Sequence, residues 1–124
     1  MRYPLNYSDA YAAAHDAAII GRSVAAAHLR QAAEGRDGQL AAVNGHDVWE
    51  RLPAIAAPTL IAHGDGDGLV PVENGRNLAS RIPGSTLKIY EGARHVFFIE
   101  RAREFNGDVT GFLAAQDGAA PNGS

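Results

Sequence analysis

Residues 58–71 read PTLIAHGDGDGLVP, a short apolar run that follows a proline and ends in a glycine–aspartate loop. A buried parallel strand shows this pattern when it delivers an acidic side chain to the carboxyl end of a sheet. A second apolar run, residues 86–90, is followed closely by the sequence GARH at residues 92–95. An acid after one strand and a histidine after the next indicate two members of a catalytic triad.

Asp67 is the candidate for the orienting acid, because a carboxylate can accept the Nδ1 proton of a histidine and fix its tautomer. His95 is the candidate base, since the unperturbed pKa of histidine lies near neutrality. Both residues also have structural interpretations. Asp67 could serve only an Asp-Gly turn, and His95 could be an ordinary loop histidine. Asp65 is the competing acid, and we expect it to stabilise the loop.

A nucleophile is not evident. The sequence GRSVA, residues 21–25, is a local match to a nucleophile elbow, which needs a strand before its serine and a helix after it. The residues before Ser23 are alanine-rich and helix-like, and Ala25 replaces the second glycine. We expect Ser23 not to be the nucleophile, and a minimal hydrolase that uses it remains the weaker alternative.

Metal and phosphate sites are disfavoured. The run DGDG, residues 65–68, is followed by apolar side chains where a calcium loop carries oxygen ligands, and its two aspartates would repel a phosphate. A metal bound by His63, Asp65 and His95 is conceivable, but their spacing is not diagnostic. We therefore expect no metal and no cofactor.

Composition limits the other classes. A chain of 124 residues suits one domain and is small for an α/β enzyme. Its net charge of −3 argues against a nucleic-acid partner, and without cysteine it has neither disulfides nor a thiol nucleophile. No window approaches the roughly 18 apolar residues of a membrane span, and residues 1–6 do not resemble a signal peptide. We expect a soluble, cytoplasmic protein without a membrane partner.

The first part of the chain reads as helical. High helix propensity predicts helices over residues 9–20 and 24–33, with a break at Gly21. Composition favours a loop at residues 34–38, and a short helix within residues 39–52 that is broken near residue 44. From residue 53 the pattern changes to strand 59–63, helix 72–82, strand 86–90 and helix 101–114. Strand, helix and strand make a βαβ unit with parallel strands.

Residues 46–113 resemble the C-terminal part of an α/β-hydrolase, in the branch that contains enol-lactonase-like and esterase-like enzymes. The resemblance implies a fold of two parallel strands with flanking helices, residues 53–115, preceded by a helical cap segment, residues 1–52. Composition predicts a disordered tail, residues 116–124. The motifs that carry the resemblance are GHDVWERL (45–52), APTL (57–60), HGDGD (63–67), RIPG (81–84) and GARH (92–95).

The resemblance also implies a serine-type hydrolase of an ester, lactone or similar acyl compound. It assigns Asp67 as the triad acid and His95 as the base. The substrate-binding site would be lined by Trp49, Val70 and Val96. In the family, the early strands, the oxyanion-hole loop and the G-x-S-x-G elbow precede the cap segment. Residues 1–124 contain none of these three features. We therefore expect a truncated chain that is inactive alone.

Two smaller departures concern the loops themselves. Gly68 stands where the family commonly has proline or a charged residue, and Arg94 stands where glycine is common. Neither removes a triad residue. The alternative function is an interaction module, whose exposed sheet edge completes a sheet with a missing N-terminal half or with a second copy of the chain.

Overall fold

The computed structural model describes residues 5–29 and 32–118, and the first part of this range is helical. Helix α1 begins after Ser8, whose hydroxyl oxygen accepts the Tyr11 amide at 3.3 Å and caps the first turn. A 3-10 turn, a second helix and a longer 3-10 helix follow. These elements are α1 (Asp9–Ala25), the turn Ala27–Leu29, α2 (Ala33–Asn44) and the 3-10 helix Trp49–Ala54.

Two predictions for this helical part were wrong. Helix α1 continues through Gly21 and is kinked instead at His15, whose ring nitrogen Nδ1 lies 3.0 Å from the Tyr11 carbonyl oxygen. That carbonyl is the one the His15 amide would use in a regular helix, and such an insertion bends the helix. Residues 34–38 lie inside α2, because the neighbouring helix formers outweigh a glycine penalty of about 1 kcal/mol each.

A parallel βαβ unit forms the second part of the fold, which confirms the predicted α/β class. Strand β1 (Leu60–Gly64) pairs in parallel with strand β2 (Thr86–Tyr90), with Gly64 opposite Tyr90 at the carboxyl ends. Helix α3 (Val72–Arg81) connects the two strands. Strand β1 lies one residue later than predicted, and β2 has the predicted bounds. Because the strands are parallel, the loops that follow them emerge at the same end of the sheet, the carboxyl end.

A small core holds this unit together. Leu52, Ile61 and Ile82 are each less than 10% exposed and pack against one another. Leu52 comes from the 3-10 helix, so residues before the first strand contribute to the core of the sheet. Burial of such side chains stabilises the fold by about 2 kcal/mol each.

Helices α4 (Phe97–Glu100) and α5 (Ala102–Asp117) follow β2, and Tyr90 joins β2 to both of them. The Tyr90 ring is 1% exposed and stacks on Phe97 with centroids 4.9 Å apart, while its hydroxyl donates to Asp108 Oδ2 at 2.9 Å. Burial, and then the hydrogen bond to Asp108, raise the pKa of Tyr90 far above its ordinary value. The phenol therefore remains a hydrogen-bond donor at neutral pH.

The C-terminal helix is longer than predicted. Helix α5 continues through Asp117, so the first two residues of the predicted disordered tail are helical. Residues 119–124 of that tail lie outside the described residues. No helix in the described ranges is long and apolar enough to cross a membrane.

Candidate active site

The loop after β1 is built around the Asp67 carboxylate. Its Oδ1 atom accepts the backbone amides of Leu69 at 2.8 Å and Val70 at 2.9 Å. These bonds close a tight turn that orders the entry to α3, as aspartate side chains often do. The Asp67 side chain is only 4% exposed, so the turn holds the carboxylate in one place with its second oxygen, Oδ2, available to another partner.

The loop after β2 is tied to the loop after β1 through backbone groups. Asp65 Oδ1 accepts the amide of Gly92 at 2.6 Å, and the Gly66 amide donates to the Ala93 carbonyl at 3.0 Å. Gly92 has a positive φ of 70°, a conformation that glycine adopts without strain. Asp65 thus stabilises the loop, as its position in the sequence suggested. The two loops are fixed relative to each other immediately before residue 95.

Asp67 and His95 meet at the carboxyl end of the sheet. His95 Nδ1 lies 2.9 Å from Asp67 Oδ2. Because an ionised carboxylate can only accept, the Nδ1 proton must donate, and a neutral His95 ring then has its lone pair on Nε2. The His95 side chain is 37% exposed, compared with 4% for Asp67. A buried acid therefore orients a partly exposed imidazole that can accept a proton.

The environment favours the ionised form of Asp67. Burial of the carboxyl acts to raise its pKa, but the Val70 amide, the His95 ring and the Leu69 amide outweigh it, and the pKa falls below the ordinary value of 3.8. Because the pKa of Asp67 is lower in the folded chain than in the unfolded chain, its ionised form stabilises the fold. This contribution is fully present above the pKa of the unfolded chain and is lost as the pH falls through the pKa of the folded chain. The carboxylate therefore supports the pair at neutral pH and is protonated only in acid.

The predicted substrate-lining residues lie in different places. Val70 belongs to the Asp67 turn, and Val96 follows His95 and donates its amide to the Asn6 carbonyl at 3.0 Å. Trp49 is not brought to the pair. The Arg81 guanidinium lies over the Trp49 ring, 4.8 Å from the ring centroid. Arg81 is the last residue of α3, so Trp49 lies at the C-terminal end of that helix. Since the Asp67 turn precedes the N-terminal end of that helix, the structure places Trp49 away from the pair, and its role in lining a substrate site stays a prediction.

The serine hydroxyls of the described residues are engaged elsewhere. Ser23 lies within α1, and its Oγ donates to the Ile19 carbonyl at 3.0 Å. The residues immediately before it, from Asp9 onward, are helical, so residues 21–25 do not form a nucleophile elbow. Ser8 caps α1, while Ser80 and Ser85 donate to carbonyls of α3, and Ser124 lies outside the described residues.

The conceivable metal set does not form. His63 Nδ1 lies 2.9 Å from the Gly64 carbonyl oxygen, and the His63 ring packs against Gly75 of α3. Asp65 is bound to the Gly92 amide and His95 to Asp67. In the part of the chain that the structure describes, no group of three or more histidine, aspartate or glutamate side chains could hold a metal ion.

One part of the site was missed by sequence reasoning. Leu5 and Asn6 lie beside the loop that carries His95, and their carbonyl oxygens accept the amides of His95 and Val96. Only backbone atoms of Leu5 and Asn6 make these bonds, so no residue type or spacing could have indicated them.

Comparison with known families agrees with this geometry. Residues 9–102 match the family described as serine aminopeptidase, S33. The match covers well over half of the chain, and the chain therefore belongs to this family of α/β-hydrolases.

The curated relatives match a smaller region. The chain is 41% identical over 70 residues to non-heme chloroperoxidase CPO-A1 of Kitasatospora aureofaciens, which covers 54% of this chain and 26% of the relative. It is 44% identical over 68 residues to the 2-hydroxy-6-oxononadienedioate/2-hydroxy-6-oxononatrienedioate hydrolase of Klebsiella pneumoniae subsp. pneumoniae, covering 55% and 24%. It is 35% identical over 74 residues to the monoacylglycerol lipase of Mycolicibacterium smegmatis, covering 57% and 26%. The chain spans about a quarter of the length of these relatives.

Proposed function

We propose that this chain carries the acid–base part of a serine-type hydrolase that acts on an ester, lactone or similar acyl compound. The observation that carries the proposal is the 2.9 Å contact of Asp67 Oδ2 with His95 Nδ1, which leaves Nε2 as the proton acceptor. Relatives named as a monoacylglycerol lipase and as a pimeloyl-[acyl-carrier protein] methyl ester esterase support an ester substrate.

The mechanism follows from the roles that the pair can fill. A serine hydroxyl attacks the acyl carbon while His95 Nε2 takes its proton, and the same nitrogen returns a proton to the leaving group. Asp67 holds the imidazole in the required tautomer and stabilises the imidazolium as it forms. Backbone amides of an oxyanion hole would stabilise the negative charge on the carbonyl oxygen. The nucleophile and this hole would come from outside residues 1–124.

The remaining parts of the site are assigned by position. Residues 1–52 would form the cap segment and residues 53–115 the C-terminal half of the hydrolase core. Val70, whose amide is bound by Asp67, and Val96, the residue after His95, would contact the acyl group of the substrate.

We expect the 124-residue chain to hydrolyse a p-nitrophenyl ester no faster than its His95→Ala variant, because neither contains an attacking serine beside His95. The measurement is the initial rate of p-nitrophenol release at equal protein concentration. A fluorophosphonate probe should likewise fail to label the chain. A rate that depends on His95, or labelling that is lost in Ser23→Ala, would show that these residues contain the nucleophile after all.

The open sheet supports a second, non-catalytic candidate. Among the described residues, β1 pairs with β2 and no third strand pairs with either of them. Such an edge presents unpaired backbone groups that another chain could cover, either an N-terminal half or a second copy. Size-exclusion chromatography with mass detection tests self-association. A stable monomer over a wide range of concentration would count against the second copy.

A further inference from the structure

The loop that carries His95, residues 91–96, is held from outside the sheet by a segment at the start of α1. We call residues 5–9 the entry segment, because it leads into this helix and includes its first residue, Asp9. The Leu5 carbonyl accepts the His95 amide at 3.4 Å, and the Asn6 carbonyl accepts the Val96 amide at 3.0 Å. Two consecutive amides at the candidate base are therefore bound to carbonyls 90 positions earlier in the chain.

The same segment also contacts the His95 loop and helix α4 through side chains. Ser8 donates its amide to Glu100 Oε2 at 3.1 Å, and Asp9 forms an ion pair with Arg94 at 3.4 Å. In an ordinary capping box, the residue three positions into the helix accepts the amide of the N-cap. Here that position is Tyr11, and Glu100 supplies the carboxylate instead. The start of α1 is thus capped by Glu100, the last residue of α4, the helix that follows the His95 loop.

The entry segment also reaches the turn that carries the acid. A Cβ built at Gly68 would lie 3.2 Å from Leu5 Cδ2, so the Leu5 side chain packs over the backbone of the Asp67 turn. One short segment therefore contacts both loops of the pair. This arrangement restricts relative motion of the loops beyond the bonds that the loops make with each other.

From these contacts we infer that the entry segment positions His95 against Asp67, and that Glu100 is its main side-chain anchor. The inference rests on the function proposed above, since it concerns the base of the same pair. Glu100 matters more than Asp9, because Asp9 is 89% exposed and such ion pairs contribute little. Displacement of α1 would then change the alignment of the base, so movement of the cap segment would be coupled to the catalytic geometry.

The test uses the full chain labelled with ¹⁵N, and compares Glu100→Ala with Glu100→Gln. We expect Glu100→Ala to accelerate hydrogen exchange of the Val96 amide about tenfold, as loss of a hydrogen bond to a charged group allows. It should also broaden or abolish the resonance of the His95 Nδ1 proton. Glu100→Gln keeps an acceptor for the Ser8 amide and should remain close to the wild type in both measurements.

Glu73→Ala is the matched control, because Glu73 forms only a loose ion pair with Arg76 on α3, at 3.9 Å. It should leave both signals unchanged, and protection of the Thr86 amide, which donates to the Thr59 carbonyl at 2.9 Å, checks that each variant is folded. If wild type shows the Nδ1 proton and Glu100→Ala changes neither signal, the inference fails and the pair stands. If wild type lacks the Nδ1 proton, the pair fails, and with it the positioning role.

Discussion

Replacing Gly64 by alanine is expected to destabilise the fold by about 2–3 kcal/mol and to separate Asp67 from His95. Gly64 ends β1, and a Cβ there would lie 2.8 Å from both the Ala93 carbonyl carbon and the Arg94 carbonyl oxygen. The atoms in the way belong to the backbone and cannot rotate aside, so the two loops must move apart. Arg94 directly precedes His95, so this displacement acts on the base itself.

Gly21→Ala provides the matched control for this substitution. Gly21 lies in α1, and a Cβ there would meet no other atom within 4 Å. Alanine should therefore be neutral or should stabilise the chain by up to about 1 kcal/mol through helix propensity. Urea unfolding of both variants gives the two free energies. Equal stability of Gly64→Ala and wild type would show that the loops do not approach as closely as described.

The strands and the acid–histidine pair could be predicted because their signals are local. A short apolar run that ends in glycine and aspartate specifies both the strand and the residue at its carboxyl end. Parallel pairing then places the carboxyl ends of both strands side by side, so Asp67 and His95 had to lie near each other. Only the 2.9 Å contact between them required the structure.

The helices were predicted less well, because glycine is a weak signal inside a helix. The helix-propensity penalty of Gly21, and of the glycines within residues 34–38, is too small to interrupt their helices. By contrast, the His15 side chain competes for a backbone carbonyl and bends α1. The position of Trp49 also depended on tertiary structure. Its contact with Arg81 joins residues 32 positions apart in the chain, and no periodicity in the sequence indicates such a pairing.

The largest change in kcat is expected for substitutions of Asp67 and His95 in a chimera that supplies the rest of a hydrolase fold. In such a chimera, residues 46–113 would replace the matching segment of the Klebsiella pneumoniae hydrolase, to which the chain is 44% identical over 68 residues. His95→Ala in this chimera should lower kcat about 10⁶-fold, because the nucleophile loses its base. Asp67→Asn should lower kcat about 10⁴-fold, because the imidazole loses its acceptor and adopts the wrong tautomer.

The control is His46→Ala, which removes an exposed histidine from the same grafted segment and should leave kcat unchanged. Circular dichroism should show the same folded state for all three variants. Asp67 and His95 are proposed to form a working acid–base pair whose nucleophile lies elsewhere, and kcat of the chimera with and without His95 decides this. We expect an active chimera that His95→Ala inactivates. A folded chimera without activity, or one whose activity survives His95→Ala, would contradict it.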